Sequence, residues 1–201
     1  MKRILAYPQV YNLYQNMIGV DKFYSVFVKN IILSEKVENI LDLACGTARM
    51  LKFLDANVGY TGVDISERYI KYNQKNAVNL KHKFFIADIC EFANFGNDFD
   101  TIVSEGVMVA FSNAELEKMF RNIVVNSHKN TRIILSDLNY KDAISPVEKF
   151  FQNNQRYKNF RTKEDYINFI EQFFRIKKVI ELENVDRIPY SKVIFECSIK
   201  N

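Results

Sequence analysis

The sequence has little of what builds the specialised classes of protein. Tryptophan is absent, and 201 residues hold only two histidines, three cysteines, three prolines and six glycines. So little Gly and Pro excludes collagen-like and linker-dominated chains. Cys45, Cys90 and Cys197 are odd in number and far apart, which is no disulfide framework, and two His offer no zinc spacing. No apolar run approaches the roughly 18 residues of a membrane span. The basic start Met1-Lys2-Arg3 leads into an apolar run that stops at Pro8, too short for a secretory signal core. The expectation is a soluble, cytoplasmic protein with reduced thiols. An excess of one charge is also missing: 28 Lys and Arg against 24 Asp and Glu leave +4, interleaved along the chain. The densest basic stretch, Arg68, Lys71, Lys75, Lys81 and Lys83, reads as a solvated helix face, so nucleic acid is not indicated.

What is present is apolar residue in periodic order, 48% of the chain. Pro8 opens a helix with Val10, Leu13, Tyr14 and Met17 at helical spacing, and Asp21 caps a second helix running to about Ser34. Strands and helices then alternate. Residues 39–43 are a short apolar strand, followed by a small-residue turn and a helix from near Ala48. Residues 59–64 form a second strand, and Ser66 caps the helix after it. Residues 84–87, 99–103 and 132–136 are further strands, with a helix from about Asn113 to His128 between the last two. Residues 145–174 look helical in two pieces around Asn159. The runs 176–182 and 192–199 are joined too tightly for a helical crossover, so they pair antiparallel. This order predicts an α/β fold, a mostly parallel sheet with helices on both faces and one strand reversed. In such sheets ligands bind beyond the carboxyl ends of the strands.

The chemistry gathers at that edge. In Asp42-Leu43-Ala44-Cys45-Gly46-Thr47-Ala48 a strand ends on an acid, and small residues let a ligand approach the backbone beside free N–H groups. Asp64 closes the second strand, Asp88 follows the third and Glu105 the fourth. One such acid reads as a helix cap; four on one rim do not.

These segments resemble the ordered motifs of class I S-adenosylmethionine-dependent methyltransferases. Leu41–Thr47 resembles the first motif, Val63–Ser66 the second, Ala87–Ile89 the third and Phe99–Val103 the fourth, over residues 38–138. Tyr7–Gln15 and Arg187–Tyr190 extend the likeness to a small-molecule-type subgroup of unsettled substrate. The resemblance implies a Rossmann-like fold of seven strands with the last antiparallel. It also implies a single domain: a helical lid over 1–35, a cofactor-binding core over 36–138, a helical substrate-side segment over 139–174 and a terminal hairpin over 175–201. Asp42 is expected on the methionine amino group, with Ala44, Cys45 and Gly46 lining the cofactor and Asp64 accepting both ribose hydroxyls. Asp88 and the Ile89 N–H face the adenine, Ile65 packs on its ring, and Ser104 and Glu105 stand near the methionine end. Tyr11 and Gln15 are the lid's candidate contacts.

Two departures bear on function. Ala48 stands where the family commonly has Gly, which is tolerated if its backbone stays in the helical region. Ser104-Glu105-Gly106-Val107 replaces the Asn- or Asp-Pro-Pro-aromatic motif of adenine methylation, and no Pro-Cys pair suggests cytosine chemistry. No phosphate loop, Gly-x-Ser-x-Gly elbow or intact dinucleotide fingerprint is present, and no metal site is expected. The acceptor is expected to be a small molecule methylated on oxygen or nitrogen. The alternatives are a non-catalytic cofactor-binding protein and an RNA methyltransferase. An oxygen acceptor needs a base. Neither His82 nor His128 falls at a strand's carboxyl end, which leaves Asp137 and Glu105, with Tyr140 as a substrate contact.

Overall fold

The structure is a computed structural model and describes residues 6–77, 79–91, 93–96, 98–140, 159–183, 185–187 and 191–200. Strands β1 (Asn39–Leu43), β2 (Gly59–Asp64), β3 (His82–Ile86), β4 (Thr101–Glu105), β5 (Arg132–Leu138), β6 (Phe174–Leu182) and β7 (Lys192–Ile199) form one sheet. Their order is β3-β2-β1-β4-β5-β7-β6. β1 to β5 pair parallel, and β7 runs antiparallel to both β5 and β6, so it alone is reversed. The order reverses at β1, which places the switch point between β1 and β4.

Helices α1 (Pro8–Ile18), α2 (Val20–Asn30), α3 (Glu67–Asn76), α4 (Asn113–Val125) and α5 (Lys163–Ile170) flank the sheet. Three of their starts are written in side chains. The Ser66 hydroxyl accepts from the Tyr69 N–H, and reciprocal capping boxes join Ser112 to Glu115 and Thr162 to Asp165. One sheet face buries Leu41, Ile102, Ile133 and Phe195 against Leu116, Met119 and Phe120 of α4 and Tyr166 and Ile170 of α5. The other buries Ile40, Val103, Ile134 and Ile194 under Phe23, Phe27 and Val28 of α2. The late aromatics are core: Phe169, Phe173 and Phe174 surround Phe120 at ring distances of 5.7, 5.6 and 5.2 Å. Phe150 and Phe151 lie outside the described residues, as does the first of the two helical pieces expected over 145–174.

Several boundaries differ from expectation. The helix expected from Ala48 is a single 3-10 turn, Arg49–Lys52. Ala48 is itself left-handed (φ 51°, ψ 41°), outside the helical region its side chain prefers, so it cannot begin an α-helix. α2 starts one residue before Asp21, after left-handed Gly19, and ends at Asn30, with Ile32–Ser34 a 3-10 turn. Phe174 begins β6 rather than ending a helix.

The sheet's amino edge is closed by charge. Asp100 accepts from the Glu38 and Asn39 N–H groups at 2.7 and 2.8 Å. Buried Arg132 donates to the Ile32 and Ile31 carbonyls at 2.9 and 3.0 Å and pairs with Glu196 at 3.0 Å, tying α2 to β5 and β7.

Candidate functional site

The carboxyl edge is built around the loop that leaves β1. Ala44 (φ 62°), Gly46 (φ 54°) and Ala48 (φ 51°) are all left-handed, and the two alanines are the non-glycine residues with positive φ among those described. Each costs about 1–2 kcal/mol, so the loop persists only because neighbours hold it. The Gly46 N–H donates to Asp64 at 2.8 Å, the Cys45 N–H to the Val63 carbonyl at 2.9 Å, and the Asn73 amide to the Gly46 carbonyl at 2.8 Å. A Cβ at Gly46 would meet nothing within 4 Å, and neither would one at left-handed Gly106 beyond β4. Open space therefore adjoins the backbone at the ends of β1 and β4.

The acids near the ends of β1 and β2 are buried. Asp42 is 5% exposed and accepts from the Tyr60 hydroxyl. Burial pushes its pKa up to about 7, the Tyr60 hydrogen bond opposes that, and the charges of Glu105 and Asp64 add to it. Tyr60 reaches Asp42 because Gly62 lies beside it, where a Cβ would meet the Tyr60 ring at 2.9 Å. Asp64 accepts from the Gly46 and Ser66 N–H groups, both at 2.8 Å. Asp88 accepts from the Cys90 N–H at 2.8 Å, and Ile89 is sunk in the core at 5% exposure. Ile65, next to Asp64, is 69% exposed, a large apolar side chain held in the open beside hydrogen-bonding groups. Burial holds the Cys45 thiol well above its ordinary pKa, so it is no nucleophile.

At the ends of β4 and β5 the two carboxylates are engaged. Glu105 accepts from the Tyr24 hydroxyl and from Lys192, each at 2.8 Å, and the Lys192 ammonium lies 3.5 Å from the centre of the Phe23 ring. Asp137 is 1% exposed. One of its oxygens accepts from the Val109 N–H at 2.8 Å, the other from the Leu138 N–H at 2.7 Å. Burial lifts its pKa to about 7, against those two hydrogen bonds. The two acids that the sequence offers as candidate bases are both hydrogen-bonded, Asp137 in full burial and Glu105 in partial burial. Asp137 braces the 3-10 turn Met108–Ala110 that follows Gly106. Ser104 is fully buried and its hydroxyl has no partner among the described residues. Tyr140 packs on Phe160 at 6.0 Å, and Tyr11 on Tyr69 at 5.5 Å. Gln15 lies in the last turn of α1 with its side-chain oxygen buried and without a partner among the described residues.

Tyr24, Tyr60, Lys192 and Arg49 were not singled out in the sequence. A lysine immediately before the apolar run Val193–Phe195 was the one available signal. Among the described residues no group of three His, Cys, Asp or Glu is placed to hold a metal ion. No described helix is long and apolar enough to cross a membrane.

A seven-stranded sheet with only β7 reversed and acids at the ends of β1 and β2 is the fold of class I S-adenosylmethionine-dependent methyltransferases. Residues 40–126 match the family model described as a methyltransferase domain. Its fold is similar to that of an S-adenosylmethionine-dependent methyltransferase from Clostridium acetobutylicum, at TM-score 0.71 and 12% identity, covering 96% of this chain and 98% of that one. It is also similar to the N-methyltransferase NodS from Bradyrhizobium japonicum, in complex with S-adenosyl-L-homocysteine, at TM-score 0.69 and 13% identity over 90% and 87% of the two chains. A third is magnesium protoporphyrin IX methyltransferase from Synechocystis, at TM-score 0.64 and 19% identity over 90% and 82%. No curated protein matches the sequence. The residues present fit the cofactor: open backbone at Gly46 and Gly106, an exposed apolar platform at Ile65, and carboxylates suited to a diol and an ammonium.

Proposed function

We propose that the chain transfers a methyl group to a small-molecule amine, used as its free base. Within this reading Asp42 holds the methionine ammonium, the backbone of Ala44, Cys45 and Gly46 lines the cofactor, and Asp64 accepts the ribose hydroxyls. Ile65 packs on the adenine, Asp88 and the Ile89 N–H take its polar edge, and Ser104, Glu105 and Tyr11 surround the methionine end. The cofactor supplies a methyl group on a sulfonium, open to in-line displacement by a lone pair. The chain's part is to align the acceptor and exclude water. The N-terminal helices over 1–35 serve as the lid, and Tyr140 contacts the acceptor.

The observation that carries the acceptor class is the state of the two strand-end carboxylates of β4 and β5. Glu105 is occupied by Lys192 and Tyr24, and Asp137 by two backbone N–H groups. A polyanion needs an exposed basic surface, and among the described residues Lys192 at this end of the site is buried and paired with Glu105. An alcohol needs a free base during transfer, whereas a neutral amine gives up its proton afterwards. Glu105 and Asp137 then act as positioning residues. The test is methyl transfer from labelled S-adenosylmethionine to matched amines and alcohols. Amine methylation in which Asp137→Asn retains at least a tenth of turnover supports the reading. Alcohol methylation that falls by about two orders of magnitude in Asp137→Asn would restore Asp137 as the base.

A further inference from the structure

α1 is held differently from every other helix that flanks the sheet. Of its eleven residues only Pro8 is buried, whereas α2, of the same length, buries Val20, Phe23, Phe27 and Val28. Leu13 and Met17 stand 61% and 65% exposed. Little apolar packing fixes α1 to the sheet, so polar contacts must.

Those contacts converge on the loop after β1. The Thr47 hydroxyl donates to the Asn12 side-chain oxygen at 2.7 Å, and the Asn12 amide donates to the Tyr72 hydroxyl of α3 at 3.2 Å. Arg49 donates to the Asn12 carbonyl at 3.0 Å, to the Asn16 side chain at 2.8 Å and to Asp21. Its guanidinium therefore spans the middle and end of α1 and the first turn of α2, across the left-handed Gly19 that joins them. The side chain is 5% exposed, and its Nε has no partner among the described residues. A guanidinium can hold this fork in one plane; an ammonium cannot. The same six-residue stretch thus presents Ala44, Cys45 and Gly46 to the cofactor on one side and Thr47 and Arg49 to the lid on the other. Left-handed Ala48 sets the turn between them.

We propose that Arg49 is a positioning residue that makes the cofactor loop and the N-terminal helix pair one unit, so that cofactor binding and lid closure are a single event. This rests on the assignment of the loop to the cofactor. Ordering the loop with ligand fixes Thr47 and Arg49, and these fix α1; releasing α1 frees the loop. By reciprocity, a change that unlatches α1 weakens the cofactor by the same factor that the cofactor strengthens the latch.

The experiment is amide hydrogen exchange of α1 with and without saturating S-adenosylhomocysteine, paired with calorimetric titration of the same ligand. The variants are Arg49→Lys and, should that variant unfold, Asp21→Asn, whose carboxylate is half-exposed. Wild type should gain protection across residues 8–18 on binding. Each variant should bind about tenfold more weakly and, at saturation, gain little or no protection there. Wild-type binding without added protection of α1 overturns the coupling but leaves the cofactor site standing. Protection in the variants equal to wild type removes Arg49 from it. No binding by folded wild type overturns the cofactor assignment and the coupling together.

Discussion

The two edges of this sheet both bury charge, and they treat it in opposite ways. At the amino edge Arg132 meets two carbonyls and Glu196, and Asp100 meets two N–H groups; each of these charges has a partner that the fold itself supplies. At the carboxyl edge burial raises the pKa of Asp42 and of Asp137 to about 7, and Ala44 and Ala48 sit in strained backbone. The buried side-chain atoms without partners among the described residues belong to Gln15, Arg49, Ser104, Ser136, Tyr166, Asp186 and Ser191, all toward that edge or the helices over it. One edge is finished by folding. The other holds polar groups and backbone that a ligand can complete, which is where strain and unmet hydrogen bonds are expected to collect.

Breaking the amino edge should have the largest effect on stability. Arg132→Met leaves Glu196 and two carbonyls without their donor, and should cost about 3–5 kcal/mol in urea denaturation. The folded fraction should bind S-adenosylhomocysteine with unchanged affinity. A loss below about 1 kcal/mol would show that this edge is not the fold's anchor.

The carboxyl edge should instead answer to ligand and pH. Asp42 has its pKa raised by burial, so a cationic ligand group favours its ionised form, and binding releases a proton. Affinity should therefore rise by up to about tenfold per pH unit below 7 and level off above it, and Asp42→Asn should flatten the curve. A wild-type affinity that is constant from pH 5.5 to 8 contradicts the assignment. The unliganded protein has the opposite trend. An acid with a raised folded pKa binds more protons folded than unfolded, so the contribution of Asp42 and Asp137 to stability is greatest below about pH 4 and is lost as the pH rises to about 7.

The smallest effect sharpens the contrast. Ala48→Gly relieves left-handed strain but frees the unfolded chain, so stability should hold or rise by up to about 1 kcal/mol. Ala114→Gly, in the exposed first turn of α4, should lose about 0.5–1 kcal/mol. Equal losses at the two positions would mean that Ala48 carries no strain.

The amount legible in the sequence differed between the edges as well. β1 and β2 have the expected bounds because a buried parallel strand is a bare apolar run with an acid at its end. The reversed β7 followed from a link too short for a crossover. The helix expected at Ala48 failed because small residues there looked like a helix entrance, while the loop uses them to turn left-handed. Asp137 looked like a free strand-end acid; the fold of residues 107–110 back over β5 encloses it. The Glu105–Lys192–Tyr24 cluster could not be read at all. Residues 105 and 192 meet only because β7 is inserted beside β5, and a helix tyrosine such as Tyr24 is indistinguishable from core until the sheet order is known.

The account stands most directly on the acid at the end of β2. Asp64 stitches the cofactor loop to its neighbour and, in this reading, accepts the ribose diol. Calorimetric titration of S-adenosylhomocysteine into wild type and Asp64→Ala should show affinity falling about a hundredfold or more, the loss of two charge-assisted hydrogen bonds. Undiminished binding in a folded Asp64→Ala protein would contradict the assignment of the carboxyl edge to the cofactor.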